Sequence, residues 1–477
     1  MVLAILAIGA VFGWGYSAVS GDPTTLPADT PTTTGAGTLS ADDSSGTVNW
    51  VEATDVPAFP DGHEYLGTST PVEFDGSIYL TVRFLDPASD TIRNELWSSP
   101  DGLVWENEPI ETNTSLAAVE LTATRTGLIL TATGDTATGD GAFSLWRTPA
   151  GGRVEGDAWT PLDIQLPAGL EVEHHSTVVN DAGEVVTAVI GRLEIWRDVV
   201  APLVPASLDF PASLDPTDPA LTLSGDSVIT GTGSTVQLFA EPPEVLTTGS
   251  SIWVRMVTLD GDEIIRSYDL PTGAHPVDAA PQLGCIRVAM MWTSPNGIDF
   301  SPVQDGRQLP CGYFLPMAWN DGFIAAAYEH GSAVAGSDEV RLWRSDSGRE
   351  WESVELQPPA ECSRVRAAAG DGLILLTDED GTRCLGSAAG DWSVLGEPSE
   401  VGYSVGGHAG FIGYPKGFDY GTAMFSTDGR VWSEIPIPAL QPYPAMVPLE
   451  DCLLMLSANQ ADPTLPKHMD IWIGEIV

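Results

Sequence analysis

Histidine, tyrosine and arginine recur in this chain in short segments, each leading into an apolar run: His63-Glu64-Tyr65, Glu173-His174-His175, Tyr313, Arg364-Val365-Arg366, Tyr403 and Tyr443. Rings and imidazoles of this kind stack on sugar faces or hold peptides, and paired guanidinium groups clamp an anion through parallel hydrogen bonds. The candidate ligand contacts are therefore His63, Tyr65, His174, His175, Tyr313, Arg364, Arg366 and Tyr403. A competing reading is that Tyr and His merely fill space at a wide opening. Adjacent His174 and His175 form no metal pair, because strand neighbours point to opposite faces.

Other chemistry finds little support. There is no Gly-rich phosphate loop, no His-Glu-x-x-His and no Gly-x-Ser-x-Gly elbow. With 66 Asp and Glu in the chain, two carboxylates at a glycosidase spacing arise by chance and carry no information. Asp378-Glu379-Asp380-Gly381 lacks the alternating acids and closing Glu of a calcium loop and reads as a solvated hairpin tip. The five cysteines form no Cys-x-x-Cys pair, so disulfides are expected rather than zinc, with Cys285–Cys311 and Cys362–Cys384 as the sequence-adjacent pairings. Neither cofactor nor metal is expected.

The elements that must position these residues are set by an internal repeat. Leu-Trp-type strands are anchored at Trp97, Trp146, Trp196, Trp292, Trp343, Cys384, Phe425 and Trp472. The anchors lie about 41 to 51 residues apart, with one interval of about 96, which is a blade-sized period. Apolar runs alternate with Asp-Gly or Asn-Gly turns, as at Asp75-Gly76, Asp321-Gly322 and Asp371-Gly372. Such pairs supply the positive φ that tight hairpins need. Each unit predicts four antiparallel strands, and such units around a ring predict an all-β propeller over residues 48–477. Inner strands then begin at the mouth of the central channel, where the His, Tyr and Arg segments lie.

Both ends of the chain fit one blade. Asp470 to Ile476 has the form of a third strand with no fourth after it, and Val48 to Ala53 has the form of that missing strand. Pairing them would remove two exposed edges. Eight blades are expected, with seven as the alternative, because the Trp196–Trp292 interval holds either a degraded blade or a Pro-rich insertion.

The turn before the second Trp of each unit resembles the Asp-box, or BNR repeat, of the sialidase-like propellers. Its residues are Asp101, Gly102 and Trp105; Asn296 and Gly297; Asp346, Gly348 and Trp351; and Asp428, Gly429 and Trp432. The box is a hairpin clasp in which the acid or amide accepts backbone N–H bonds, Gly takes the left-handed residue and Trp packs between sheets. These acids are structural on that reading. The resemblance implies a sialidase or another glycoside hydrolase, yet the Arg-Ile-Pro segment of sialidases is missing. The nearest early arginine, Arg83, falls on a second strand.

Residues 1–20 contain no charged side chain and read as a signal peptide or membrane anchor, and the Thr/Pro/Ser/Gly-rich residues 21–47 read as a disordered stalk. The expected location is secreted, or anchored to the outer face of the cytoplasmic membrane, with membrane contact only through that segment. A formal net charge of −46 repels nucleic acid and suits a soluble surface. The expectation is a monomeric, non-catalytic binding module for an extracellular glycan or protein, with a glycoside hydrolase as the alternative.

Overall fold

The computed structural model describes residues 48–477 except 90, 111–115, 135–142, 149–158, 165, 167–169, 195–221, 225–226, 230–234, 238, 249–250, 270–274, 281–284, 304–312, 320–321, 329–339, 355–357, 360–361, 363–364, 371, 379–381, 388–390, 396–400, 408–409, 416–421, 439–444, 450–451, 460–467 and 477. The expected leader and stalk lie outside the described residues, as do Cys311, Arg364 and Tyr443 and the tip at 379–381. Among the described residues no helix is long and apolar enough to cross a membrane.

Strands form where β-branched and aromatic residues run between turn pairs. In Ser77–Asp86, seven consecutive residues from Ile78 to Phe84 are buried, because the sheet is covered on both faces by neighbouring sheets. Blade 1 comprises β2 (Glu64–Thr68), β3 (Val72–Phe74), β4 (Ser77–Asp86), β5 (Thr91–Ser99) and β6 (Glu106–Pro109), with β2 and β3 sharing the inner position against β4. Blade 2 is β7 (Leu116–Thr124), β8 (Gly127–Gly134), β9 (Phe143–Arg147) and β10 (Thr160–Leu162).

Blade 3 is interrupted. Its β11 (Leu170–Val179) and β12 (Val185–Glu194) are followed by two three-stranded sheets. These are β13 (Thr222–Ser224), β14 (Ser227–Ile229) and β15 (Thr235–Gln237), then β16 (Phe239–Thr248), β17 (Ser251–Thr258) and β18 (Glu263–Asp269). Next come β19 (His275–Ala280), β20 (Cys285–Ser294) and β21 (Ser301–Pro302), and β20 pairs with β12, β19 and β21.

Blade 4 is β22 (Tyr313–Trp319), β23 (Gly322–Tyr328), β24 (Val340–Ser345) and β25 (Glu352–Ser353). Blade 5 is β26 (Val365–Gly370), β27 (Leu373–Asp378), β28 (Arg383–Ser387) and β29 (Trp392–Leu395). Blade 6 is β30 (Val401–Gly407), β31 (Gly410–Pro415), β32 (Thr422–Ser426) and β33 (Ser433–Pro436). Blade 7 joins β34 (Ala445–Pro448), β35 (Cys452–Asn459) and β36 (His468–Ile476) to β1 (Val48–Glu52). The two ends of the chain pair in antiparallel register from Val48 opposite Ile476 to Glu52 opposite Trp472.

Among the described residues the blades thus number seven, the alternative count, rather than eight. The apparent third-strand copy at Leu193-Glu194 belongs to β12, where these residues pair with Ile286 and Cys285 of β20. The long interval is an insertion between two paired strands of one blade. Disulfide Cys362–Cys384 ties the lead-in of blade 5 to its third strand across a sequence separation of 22.

Each blade buries a face on the next. Leu80, Val82 and Phe84 of blade 1 share a core with Leu454, Leu456 and Ile471 of blade 7. Phe425 of blade 6 packs with Met455 and Trp472 of blade 7. Shared cores likewise join blades 1 and 2, 3 and 4, 4 and 5, and 5 and 6. Hydroxyls add to the seams near the inner strands. Thr131 of blade 2 donates to Thr177 of blade 3 at 3.2 Å, and Thr377 of blade 5 meets Ser404 of blade 6 at 3.2 Å.

The box turns are a second seam. In blade 1 the N–H groups of Leu103 and Val104 donate to Asp101 Oδ1 at 2.9 and 3.2 Å, and Trp105 Nε1 donates to the Gly102 carbonyl at 2.8 Å. Blade 6 repeats the pattern, with Arg430 and Val431 donating to Asp428 at 2.8 and 2.9 Å and Trp432 to Gly429 at 2.9 Å. In blade 3 the amide oxygen of Asn296 accepts from Ile298 and Asp299 at 2.9 and 3.0 Å. In blade 4 Ser347 stands directly before Gly348, and its hydroxyl accepts from Arg349 N–H at 3.4 Å. Asp346 therefore sits where Pro100 does and does not occupy the clasp position.

Gly102 and Gly348 have φ of 74° and 72°, the left-handed region. A side chain at Gly102 would overlap Ile473 of blade 7, and one at Gly348 would overlap Val186 of blade 3. Each box turn is thus seated on the preceding blade.

The backbone N–H groups of Leu103 and Val104 hold the Asp101 carboxyl below its ordinary range, against a smaller opposing effect of burial. For Asp428 burial pushes upward, and the bonds from Val431, Arg430 and Ser426 outweigh it, so that its carboxyl too lies low. Depressed acids contribute stability that is complete above the unfolded value of about 3.9 and is lost as pH falls through the folded value. The double variant Asp101→Asn/Asp428→Asn should be somewhat less stable than wild type at pH 7, because Asn keeps the bonds that Asn296 makes but not the charge that strengthens them, and should lose less on acidification from pH 5 to pH 2.5. Replacing both by Ala should cost about 0.5–1.5 kcal/mol per clasp at pH 7. Chemical denaturation across that pH range checks both outcomes.

Candidate functional site

The first strands of consecutive blades touch one another from β7 through β11, β22, β26 and β30 to β34, which makes them the inner wall of the ring. Registers show which end of that wall is open to insertion. The start of β11 lies opposite the end of β12, and Glu194 there pairs with Cys285, so the insertion between β12 and β20 joins the ring at the end where inner strands begin.

The sequence candidates distribute along this wall as follows. Tyr65 lies on β2 opposite Phe84, with its ring stacked on Phe59 at 5.3 Å between centroids and an interplanar angle of 5°. Burial pushes its hydroxyl up to about 12, against smaller effects of a hydrogen bond with Thr68 and the charge of Arg83. His63 precedes β2, and its Nδ1 lies 3.1 Å from the Asp61 carbonyl oxygen. His174 and His175 pair with Ile190 and Val189 on β12. Backbone register places Tyr313 opposite Tyr328, Arg366 opposite Thr377 and Tyr403 opposite Tyr414.

Three blades meet in one polar network. Arg83 on β4 is only 5% exposed. Burial lowers the affinity of its guanidinium for a proton, opposed by Tyr65 and by the carboxylate of Glu120 on β7. On its other side Glu120 places Oε2 3.4 Å from His175 Nδ1, and the two side chains are 41% and 6% exposed. The His175 ring packs against Phe143 of blade 2 at 5.4 Å. Glu120 is thus a part-exposed carboxylate that lies beside the buried imidazole and acts electrostatically on the buried Arg83.

Sequence reading brings Tyr65, His174 and His175 to this region but misses Arg83 and Glu120 as site residues. Arg83 is on the second strand, as its position indicates, yet it is buried there and acts electrostatically on Tyr65 and Glu120. The available signal is a charge inside an apolar run, Val82-Arg83-Phe84 and Val119-Glu120-Leu121; a buried charge such as Arg83 needs a partner. Among the described residues no three His, Cys, Asp or Glu side chains come together to hold a metal ion.

Chemically the network offers an acceptor. Glu120 can take hydrogen bonds from ligand hydroxyls, with Arg83 near enough to act on it electrostatically and His175 Nδ1 at 3.4 Å, and the Tyr65 phenol, kept protonated, is a donor rather than a nucleophile.

Comparison with known proteins leaves the reading to these residues. No protein family matches the chain, and no curated protein does. Among solved structures it is similar to the acylaminoacyl peptidase of Pyrococcus horikoshii, at 9% identity over 82% of this chain with a TM-score of 0.32. The chain spans 58% of that peptidase's length. It is also similar to Zg3597, a family 117 glycoside hydrolase of Zobellia galactanivorans, at 9% identity over 90% of this chain and 91% of that one with a TM-score of 0.30. A mutant Trypanosoma rangeli sialidase displaying trans-sialidase activity matches at 8% identity over 91% of this chain and 60% of that one, with a TM-score of 0.34. Similarity at this level assigns no activity.

The raised Tyr65 value gives a stability test. A group whose folded value lies above its unfolded value of about 10 stabilises fully below pH 10, and that contribution is lost as pH rises through the folded value near 12. Tyr65→Phe should therefore lose about 2–3 kcal/mol less than wild type on alkalinisation from pH 9 to pH 12, while at pH 7 it costs only the lost hydroxyl bond, about 1 kcal/mol. Urea unfolding at a series of alkaline pH values measures the difference.

Proposed function

We propose that this chain is an exported or envelope-anchored β-propeller that binds an extracellular glycan without transforming it, at the point where Glu120 meets Arg83 and His175. The observation that carries this reading is the part-exposed carboxylate of Glu120, with Oε2 3.4 Å from His175 Nδ1 and within electrostatic reach of the buried Arg83 guanidinium. A carboxylate so placed suits vicinal hydroxyls, to which it offers up to four lone-pair directions. A tyrosine nucleophile would ask for a lowered rather than a raised hydroxyl at Tyr65.

The turns support the Asp-box reading of the repeat: Asp101, Asn296 and Asp428 each take two backbone N–H bonds beside a left-handed Gly. Export is supported by the uncharged residues 1–20, the polar residues 21–47 and a net charge of −46, which keeps a monomer soluble through self-repulsion.

A glycan array probed with the full chain, beside fluorogenic glycosides including a sialoside, tests the proposal. Binding of a defined glycan set, weakened at least tenfold by Glu120→Gln with unchanged Tm, is expected, together with no glycoside turnover. Turnover that Glu120→Gln abolishes would replace this reading by a glycoside hydrolase, and glycan binding indifferent to Glu120→Gln would move the site elsewhere.

A further inference from the structure

The inserted sheet β16–β18 has two unlike faces. Phe239, Val254 and Met256 are each 1% exposed, so one face is covered. Trp253 and Ile265 are 41% and 50% exposed on the other. Register fixes what surrounds them. Glu244, Arg255 and Ile265 form one cross-strand row, with Glu241, Val257 and Glu263 on the next and Trp253 opposite Leu246 and Ser267 on the third.

Arg255 sits among the carboxylates, with Nε 2.6 Å from Glu263 and Nη1 2.9 Å from Glu241 and 3.6 Å from Glu244. One guanidinium cannot balance three carboxylates, and all three glutamates are more than half exposed. Residues 239–269 carry six acids against two arginines, so the imbalance extends over the whole sheet. Strand β18 is the outer strand of this sheet among the described residues.

A part-exposed indole and an aliphatic side chain set among negative charge match a partner with apolar stems and cationic heads. We propose that this face docks a lysine- or arginine-rich extended segment of another protein, laid along β18, with its alkyl stems on Trp253 and Ile265 and its cations on Glu241, Glu244 and Glu263. Long basic side chains cover apolar surface with their stems while their charges stay solvated, and an indole face attracts a cation. An extended segment is the form that an outer strand accepts. A second copy of this chain is disfavoured by mutual repulsion at a net charge of −46 each. This surface is separate from the Glu120 network and does not depend on its being a glycan site.

The test is fluorescence anisotropy of dye-labelled ten-residue peptides with the full chain in 0.15 M NaCl: one alternating Lys and Val, one alternating Glu and Val. Neutral oligosaccharides are added as competitors. The basic peptide should bind, and both Trp253→Ala and the triple variant Glu241→Gln/Glu244→Gln/Glu263→Gln should weaken it at least tenfold. A charge-matched triple, Glu52→Gln/Glu350→Gln/Glu434→Gln, exposed on the ring itself, should leave it within twofold. Hydrogen exchange of β18 amides should slow on binding in wild type, which also reports that the sheet is intact in each variant. Equal weakening by the two triples would mean a diffuse field rather than a site and would overturn the proposal. So would absence of binding, preference for the acidic peptide, or displacement by a neutral oligosaccharide.

Discussion

Every blade of this ring has two apolar faces, and a propeller leaves neither uncovered only if its last blade meets its first. That requirement explains the long buried runs, such as Ile78 to Phe84, which would be a liability in an open sheet. It also explains blade 7, in which the final strand of the chain carries Trp472 and Ile471 into cores shared with blades 6 and 1. The first strand of the fold covers the edge of that final strand from Val48 to Glu52. Box turns reinforce each step, since Gly102 rests on Ile473 and Gly348 on Val186, so a turn in one blade is shaped by a side chain of its predecessor. Cohesion here is a chain of neighbour contacts that returns to its start.

Much of this was legible in the residues. Asp-Gly and Asn-Gly pairs mark hairpins because few other dipeptides take positive φ, and Trp recurs because it fills the wedge between sheets. Pairing of the two ends was legible from the incomplete unit at each. The blade count was not, because a second strand ending in Leu193-Glu194 has the same apolar rhythm as a third strand. Only the pairing of Leu193 with Ile286, across an insertion of some ninety residues, distinguishes them. The clasp of blade 4 misled for a similar reason: Ser345-Asp346-Ser347-Gly348 offers two polar side chains before Gly, and the turn's geometry selects Ser347.

The candidate site was legible only in outline. Strand register places Tyr65, His174 and His175 on the inner wall, but no local signal tells that Tyr65 is largely taken up by stacking on Phe59. Arg83 and Glu120 acquire meaning from each other and from His175, which come from three different blades. A charge within an apolar strand announces that a partner exists; its identity is settled by how the ring brings blades together. The same ring displays a sheet, β16–β18, that the repeat does not require, and the composition of its exposed face differs from the blade interiors accordingly.

The ring and its site both rest on the joining of the two ends, and removal of β36 tests that joining directly. A chain truncated after Lys467 loses the strand that carries Trp472 and leaves β1 and β35 without their shared partner. Differential scanning calorimetry should show a lower Tm for the truncated chain, since loss of one large buried aromatic alone costs about 3–5 kcal/mol. Hydrogen exchange should quicken in blades 1 and 6 as well as in blade 7. An unchanged Tm, or faster exchange confined to blade 7, would contradict a ring closed by its own termini.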